Sequence, residues 1–452
     1  MHFKSLLNNL NLVLGKDGAQ EQNDNASRQR NTLRNDDKST RIKQMNNYTI
    51  NTVSPTRINN GSNRLTTKVM GNSVEEAIKE HFEKTVSFSN NNIPVECHAF
   101  YVGDLGELHR QYLKWKALLP RIQPFYAIKC NPDSVTIQYL ASLGMGFDCA
   151  SKMEIQQVLE LGVDPDQIIY AQPVKQPSFL RYASQNNVSL MTFDNEDELY
   201  KIKEIYPNAK LVLRICFHVG CECSNADAFY HALVRARHVF GRAETFGYQL
   251  TLLDVGGGFN DSSVVEGTTF EKVAAVLGST VDELFPSKDV RVIAEPGRYF
   301  VGGPAYVYCV GIIGRRTVHD GDKNKKNSLY VSEKMQQEDR TFTYYINDGY
   351  YGSPHTPTID EYLKLNPRVL RKNGICFYGR EIEDDEKNYP CTIWGPACCS
   401  YDRIDYDGNL PELHIGDRLY FENFGAYTIA AASNFNGCEK AKIIHVNSYH
   451  DS

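Results

Sequence analysis

Short apolar runs recur at a nearly constant interval in the first half of the ordered sequence, and this repeat limits the possible folds more than any other feature. The runs begin at Phe125, Phe147, Ile168, Leu190 and Leu211. Consecutive starts are 21 or 22 residues apart, and helical patterns such as 152–161 and 196–205 lie between them. Strands that alternate with helices at this pitch are typical of βαβ units and a parallel sheet.

The same alternation continues for two more strands and then stops. Strands are predicted at 250–254 and 290–294, with helices at 227–241 and 270–277. Seven strands with polar residues after their C-terminal ends predict a (β/α)8-type barrel that lacks one helix–strand unit. Further strands are predicted at 305–317, 342–352, 391–398, 417–433 and 441–447. These strands, separated by turn residues, predict a C-terminal β-sandwich or β-barrel domain that also takes the strand 98–102.

The chain therefore divides into four parts: 1–65, 66–103, 104–300 and 301–452. The first is an Asn-rich tail, and from residue 20 to residue 63 it contains no Phe, Trp or Cys. A segment that buries so little apolar surface does not offset its chain entropy, so we expect it to be disordered. The second part, a helix and a strand, should join the β domain, whereas the third is the barrel.

Charge and composition exclude several classes of partner. The formal net charge is −6, with 49 Lys and Arg against 55 Asp and Glu, which argues against nucleic acid as the main partner. No apolar run reaches the ~18–20 residues of a membrane span, and the N-terminus lacks a secretion signal. The 12 cysteines contain no two matching C-x2-C pairs, so we expect reduced thiols, no metal site and a cytoplasmic protein.

Three groups at the ends of barrel strands suggest chemistry. Lys129 ends the run FYAIKC, where burial would lower the pKa of its amine and make it a nucleophile, although a lysine at a strand edge can also reach solvent. Gly256–Gly258 could present backbone N–H groups to a phosphate, or form an ordinary glycine-rich strand end. Arg298 could join them, and Glu295 could hold a ring nitrogen protonated, unless the two side chains form a structural ion pair.

Two further candidates lie in the predicted β domain. Cys398 follows Trp394-Gly-Pro-Ala on a turn, where a cysteine is more often structural than catalytic. Tyr427 lies in Phe421-Glu-Asn-Phe-Gly-Ala-Tyr, read as a strand, and could face a ligand or fill the core. Neither residue identifies a function alone.

Seven motifs, taken in order, carry a family resemblance. They are FYAIKCN, GFDCASKMEI, LLDVGGGF, AEPGRYFV, YYINDGYYGS, WGPAC and FENFGAYTIAAASNFNG. Over about residues 66–447 the chain closely resembles the eukaryotic ornithine decarboxylase family, which has the alanine-racemase-like fold. The resemblance implies a pyridoxal 5'-phosphate (PLP) enzyme that decarboxylates L-ornithine to putrescine. It also implies a head-to-tail homodimer with active sites at the subunit interface.

The resemblance assigns roles to individual residues. Lys129 resembles the lysine that attaches PLP, His218 the imidazole that stacks on the ring, and Cys398 the thiol from the other subunit that protonates the α-carbon. The implied cofactor-binding residues are Lys129, Asp148, Glu154, Arg214, His218, Gly256, Gly257, Gly258, Glu295, Gly297, Arg298 and Tyr427. Asp360 and Tyr351 are implied to bind substrate, and Asp360 lies in a stretch that departs from the family's local pattern.

Three departures from the family favour a different function. Only three residues separate Arg214 from His218, although the family places them on successive strands and a crossover needs at least ~10–12 residues. Cys221 replaces a phosphate-binding serine, and Cys399 replaces an acidic residue beside the catalytic cysteine. The chain is therefore either an active decarboxylase or an impaired paralogue that acts by binding antizyme, as antizyme inhibitors do.

Overall fold

A computed structural model describes residues 73–85, 98–213, 225–260, 269–319, 340–355, 365–380, 382 and 387–449. The predicted disordered tail lies outside these residues. Four of the residues discussed above, Arg214, His218, Cys221 and Asp360, also lie outside them.

The chain begins its described part with a helix and a strand, α1 (Val74–Thr85) and β1 (Phe100–Asp104). The barrel strands are β2 (Ile122–Ala127), β3 (Gly146–Cys149), β4 (Ile168–Tyr170), β5 (Leu190–Phe193), β6 (Lys210–Leu213), β7 (Leu252–Asp254) and β8 (Arg291–Ala294). The helices are α2 (Leu105–Leu118), α3 (Ser134–Ser142), α4 (Lys152–Glu160), α5 (Pro177–Gln185), α6 (Glu196–Ile205), α7 (Asp227–Thr245), α8 (Phe270–Leu284) and the short α9 (Arg298–Val301). Every predicted barrel strand is therefore present within a few residues of its expected place.

Polar caps explain where several helices begin. Ser73 Oγ accepts a hydrogen bond from the backbone N–H of Glu76 at the start of α1. Asp104 Oδ1 accepts from Gly106 N and starts α2 at the end of β1. Ser151 and Glu154 form a reciprocal capping box at α4, which fixes the turn after β3.

The seven barrel strands are parallel and follow the order β6-β5-β4-β3-β2-β8-β7. The first barrel strand, β2, pairs with the second, β3, and also with the last, β8. The sheet therefore curls back on itself and leaves β6 and β7 at its two edges. Among the described residues no strand lies between these edges, which are adjacent in a barrel's chain order. The predicted barrel with one unit missing is confirmed, and its opening lies between β6 and β7, the strands that precede and follow the Arg214–His218 join in sequence. We call this opening the seam.

Within the described residues, the second sheet is mixed and has nine strands. Its remaining members are β9 (Tyr306–His319), β10 (Arg340–Ile346), β11 (Arg368–Lys372), β12 (Ile375–Cys376), β13 (Asn388–Trp394), β14 (Arg403–Pro411), β15 (Arg418–Phe421) and β16 (Lys442–Val446). As predicted, β1 joins this sheet, antiparallel to β9 and parallel to β16. The single strand predicted at 417–433 is wrong, because the strand ends at Phe421 and turns follow it.

A continuous core connects the barrel with the second sheet. Trp115 on α2 is fully buried, stacks on Phe270 of α8 and meets Tyr299 edge-on. Its indole Nε1 donates to the carbonyl of Ile122, so the largest core side chain is also satisfied as a donor. This packing fixes α2 against the start of β2, the strand that leads to Lys129.

Candidate active site

Lys129 lies in a single 3-10 turn, Ile128–Cys130, directly after β2. Its Nζ is 2.6 Å from Oδ2 of Asp148, a fully buried carboxylate on the neighbouring strand β3. Burial lowers the pKa of the Lys129 amine, but Asp148, with Glu295 and Glu154, outweighs burial and raises the net pKa above its ordinary value. The predicted lowering of this pKa is therefore wrong in the cofactor-free site, because the strand next to Lys129 carries a carboxylate.

A second pair of carboxyl groups is buried at the ends of β7 and β8. Burial raises the pKa of Glu295 well above its ordinary value, and the charges of Asp254 and Asp148 add to this effect. Asp254 Oδ1 accepts from Gly256 N at 2.8 Å, and Glu295 N donates to the carbonyl of Gly256 at 2.7 Å. A cationic N–H placed against Glu295 would restore its negative charge, because opposite charge favours ionisation.

Asp254 is a site residue that the sequence argument did not assign. It is 2% exposed and holds the first glycine of the glycine-rich turn while it interacts with Glu295. Its signal was available, since an aspartate ends a buried strand directly before the three glycines.

The glycine-rich turns provide open backbone beside a buried guanidinium. Gly256 and Gly258 have φ values of 66° and 92°, a region that favours glycine. A Cβ on Gly297 would lie 2.8 Å from Cys130 Cβ, so the turn after β8 packs directly against the turn that carries Lys129. Arg298 is 8% exposed and directly follows Gly297 in this turn.

Tyr427 comes from the second sheet domain and completes this group. The Cζ of Arg298 lies 5.4 Å from the centroid of the Tyr427 ring, and Tyr427 N donates to the carbonyl of Cys130 at 2.8 Å. The residue occupies a turn with φ 57°, not the strand that the sequence predicted. Tyr427 therefore reaches the site from a turn and not from a strand.

Glu154 lies next to the Lys129–Asp148 pair and holds the backbone there. Its Oε2 accepts from the N–H groups of Ala150 and Ser151. Burial is the main reason that the pKa of Glu154 is raised, and Asp148 adds to it. Glu154 therefore fixes the turn that follows Asp148 on β3.

The predicted catalytic thiol lies elsewhere in the chain. Cys398 is exposed on the turn after β13, and among the described residues it makes no hydrogen bond to the group around Lys129. Its neighbour Cys399 places Sγ 3.0 Å from the hydroxyl of Tyr351, and this hydrogen bond is the main cause that raises the pKa of Tyr351 to about 12. One chain therefore contains two separate clusters, one around Lys129 and one around Cys398 and Tyr351.

Comparisons with known proteins give these clusters a context. The family model described as the pyridoxal binding domain of pyridoxal-dependent decarboxylases matches residues 105–216 and 215–302. Ornithine decarboxylase of Mus musculus is 41% identical over 391 residues, which cover 77% of this chain and 81% of that enzyme. The chain belongs to the ornithine decarboxylase family.

Other proteins that resemble this chain have different names and ligands. Antizyme inhibitor 2 of Xenopus laevis is 40% identical over 390 residues, covering 76% of this chain and 80% of that protein. The crystal structure of the Paramecium bursaria Chlorella virus arginine decarboxylase has a TM-score of 0.69 and 26% identity, covering 82% of this chain and 100% of that chain. The crystal structure of SrLDC in complex with PLP and cadaverine has a TM-score of 0.67 and 29% identity, and the match covers 84% of this chain and 95% of that chain. The cofactor of the family is PLP.

The alignments also bear on the seam. The family model matches in two segments that meet at residues 215–216, inside the join between Arg214 and His218. The alignment with the mouse enzyme has 391 positions, and it covers 77% of this chain's 452 residues. About forty of its positions therefore contain no residue of this chain. The mouse enzyme therefore has residues at positions where this chain has none, in agreement with the missing helix–strand unit.

The residues present suit PLP. The amine of Lys129 matches the aldehyde of PLP. The buried carboxyl group of Glu295 matches its ring nitrogen, since a cationic ring nitrogen would ionise that carboxyl group. The guanidinium of Arg298 and the positive-φ glycines match its phosphate. Within the described part of the chain, no group of His, Cys, Asp and Glu is arranged to hold a metal ion. Its helices also contain no segment long and apolar enough to cross a membrane.

Proposed function

We propose that this protein is a PLP-dependent decarboxylase that converts L-ornithine to putrescine and CO2 in polyamine biosynthesis. The observation that carries the proposal is the convergence of Lys129, Glu295 and the Arg298–Tyr427 pair at one end of the parallel strands. The 41% identity to the mouse ornithine decarboxylase supports ornithine as the substrate. We further propose that the protein acts in the cytoplasm.

Each part of the proposed PLP site has a protein partner. Lys129 would hold the aldehyde carbon, and Glu295 the ring nitrogen. The phosphate would be held by Gly256, Gly257, Gly258, Gly297, Arg298 and Tyr427. We place Arg214 and His218 beside the ring and phosphate from the resemblance alone. Bound PLP supplies a ring that accepts the electron pair left on the α-carbon when CO2 leaves.

Proton placement at Lys129 follows from its ion pair. In the cofactor-free site the amine is charged, because Asp148 raises its pKa. An amine attacks a carbonyl only when it has lost its proton. Asp148 Oδ2, 2.6 Å away, holds the charged amine in place, so the amine has to give its proton to solvent before it reacts.

The second cluster suggests that two chains form each site. We propose a homodimer in which the turn that carries Cys398 extends to the Lys129 site of the partner subunit. Cys398 is exposed, as a residue donated across an interface is in the isolated chain. There its thiol would protonate the α-carbon, while Tyr351 and Asp360 would contact the substrate side chain.

The test is a direct assay of the purified protein. With PLP and L-ornithine present, we expect putrescine and CO2 in equal amounts, and a dimer by light scattering. The Lys129→Ala variant should be inactive while it remains folded. L-Lysine and L-arginine serve as alternative substrates, and turnover of either in preference to L-ornithine would correct the substrate assignment.

A second function has its own supporting observations. The seam, the thiol of Cys399 in place of a carboxylate, and the 40% identity to antizyme inhibitor 2 favour a protein that binds antizyme without turnover. A folded, PLP-loaded protein that binds antizyme but releases no CO2 from any of the three amino acids would establish this alternative.

A further inference from the structure

Asp402 closes the turn that carries Cys398. This turn spans residues 395–402, between the end of β13 and the start of β14. Gly395 N donates to the carbonyl of Asp402 at 2.7 Å, and Asp402 N donates to the carbonyl of Cys399 at 3.1 Å. Asp402 is only 1% exposed, so its carboxylate is enclosed by protein although it belongs to a surface turn.

The carboxylate of Asp402 joins the Cys398 turn to a second turn. Its Oδ2 accepts a hydrogen bond from Ala397 N at 2.6 Å, and its Oδ1 accepts one from Tyr350 N at 2.7 Å. Ala397 directly precedes Cys398, and Tyr350 directly precedes Tyr351. One side chain therefore fixes the backbone beside the thiol and beside a residue that we propose as a substrate contact.

Two glycines let the carboxylate approach both turns closely. A Cβ on Gly349 would lie 2.9 Å from Asp402 Cγ and 2.7 Å from the Cα of Gly395. A Cβ on Gly395 would lie 2.6 Å from the same Cγ. Neither position has room for a side chain, so any displacement of the carboxylate also displaces the turns around it.

The carboxylate is costly to bury, and an amide would not replace it. Burial raises the pKa of Asp402, the hydrogen bonds from Ala397 and Tyr350 act in the opposite direction, and the charge of Asp348 raises the pKa further. Asparagine has one acceptor oxygen, and its NH2 group would face one of the two backbone N–H groups. A carboxylate therefore holds both turns at once, whereas an asparagine holds only one.

We propose that Asp402 is a positioning residue that holds the Cys398 thiol and Tyr351 in a fixed arrangement, so that both enter the partner subunit's site together. This inference rests on the proposed function, in which Cys398 protonates the α-carbon. A proton donor acts only within hydrogen-bond reach of its target, and a displacement of about 1 Å can reduce a rate about 100-fold. Asp402 acts through the two turns and not by contact with the reacting atoms.

Hydrogen exchange of the full-length, PLP-loaded protein tests the structural part. In Asp402→Asn we expect peptides that contain residues 349–351 and 395–399 to exchange about tenfold faster, because a hydrogen bond to a charged group is lost. Asp417→Asn is the matched control, since Asp417 is also buried and its two oxygens accept from Asn373 N and His414 N, outside these peptides. Unchanged exchange of both peptides in Asp402→Asn would contradict the inference.

Mixed dimers test the functional part. Each proposed site combines Lys129 of one chain with Cys398 of the other, so equal amounts of Lys129→Ala and Cys398→Ala chains should restore about a quarter of the natural activity. Asp402→Asn alone should lose at least about fivefold in decarboxylation. It should recover activity with Lys129→Ala but not with Cys398→Ala, because the defect lies in the thiol that its own chain donates. Asp417→Asn should keep the natural rate.

A second variant covers the case in which Asp402→Asn does not fold. Gly349→Ala leaves the carboxylate unchanged but displaces it, so it should give the same exchange pattern and the same recovery pattern.

The inference and the proposed function fail in different ways. If Lys129→Ala and Cys398→Ala do not restore each other, the shared site is wrong, and the exchange result alone decides whether Asp402 joins the two turns. If they do restore each other, but Asp402→Asn keeps the natural rate or recovers with Cys398→Ala, then Asp402 does not position the thiol.

Discussion

Replacing Asp148 by Asn should lower the pKa of the Lys129 amine. At 2.6 Å and an effective dielectric of about 20, Coulomb's law gives about 6 kcal/mol for this ion pair. The Lys129 side chain is 44% exposed, so solvent screening reduces the contribution to about 1–3 kcal/mol. Because one pKa unit corresponds to about 1.4 kcal/mol, we expect a decrease of about one to two units.

Competitive acetylation of the cofactor-free protein measures this pKa. Trace amounts of acetic anhydride are added at a series of pH values, and the Lys129 peptide is quantified by mass spectrometry. Only the uncharged amine reacts, so the midpoint of the labelling curve is the pKa of Lys129. In Asp148→Asn the burial of the amine persists while its carboxylate partner is gone, which shifts the midpoint to lower pH.

An exposed ion pair of the same barrel provides the control. Lys210 and Asp166 are 3.0 Å apart, and each side chain is 64% exposed. The Asp166→Asn variant removes a carboxylate far from Lys129, so it should leave the labelling midpoint of Lys129 where it is in the natural protein. The reasoning is refuted if Lys129 keeps its midpoint in Asp148→Asn, or if Asp166→Asn shifts that midpoint as much.

Four further outcomes follow from the structure. Borohydride reduction of the PLP-loaded protein should attach the pyridoxyl group to Lys129, and peptide mapping that finds it on another lysine contradicts the assignment. Cys398→Ala should keep PLP, seen by visible absorbance, but lose at least about tenfold in decarboxylation, or about 1.4 kcal/mol; an unchanged rate rejects the role. Burial raises the pKa of Asp133, but the ion pair with His445 at 2.8 Å, with further hydrogen bonds, lowers it overall. The pair's stabilisation is therefore present above about pH 4 and lost as pH falls through the lowered pKa, so Asp133→Asn should flatten the acid side of the melting-temperature profile. Finally, a chain with a relative's helix–strand unit inserted into 214–224 should melt higher and bind PLP more tightly; equal values in both chains would show that the seam is harmless.

The barrel was predictable from sequence because its signal is local and repeated. The strands that begin at Ile168 and Leu190 start at the residues predicted, since a buried parallel strand is a short apolar run bounded by polar residues. The missing unit was visible for the same reason, as a spacing too short for a crossover. The seam of the sheet confirms that prediction.

The second sheet and the charges of the site were less predictable, because they depend on distant partners. The strands Arg368–Lys372 and Arg403–Pro411 were not predicted, and they contain many charged or polar residues whose pairing partners lie far away in the chain. The pKa of Lys129 was predicted in the wrong direction, because Asp148 lies beside it only through the pairing of β2 with β3. Tyr427 was wrongly assigned to a strand, because the turn that contains it is held by Cys130, which lies far away in the chain.

The hydrogen bonds that fix the turn after β2 have a consequence for how the site is made. Asn131 Nδ2 donates to the carbonyl of Gly425 at 3.1 Å, across a sequence separation of 294 residues. At a synthesis rate of about 5–20 residues per second, the ribosome needs about 15–60 s to add that stretch. The barrel strands around Lys129 can therefore pair while the nascent chain is incomplete, but the turn that carries Lys129 is held in its final position only near the end of translation. We expect nascent chains arrested before residue 425 to capture PLP poorly, and complete chains to capture it well.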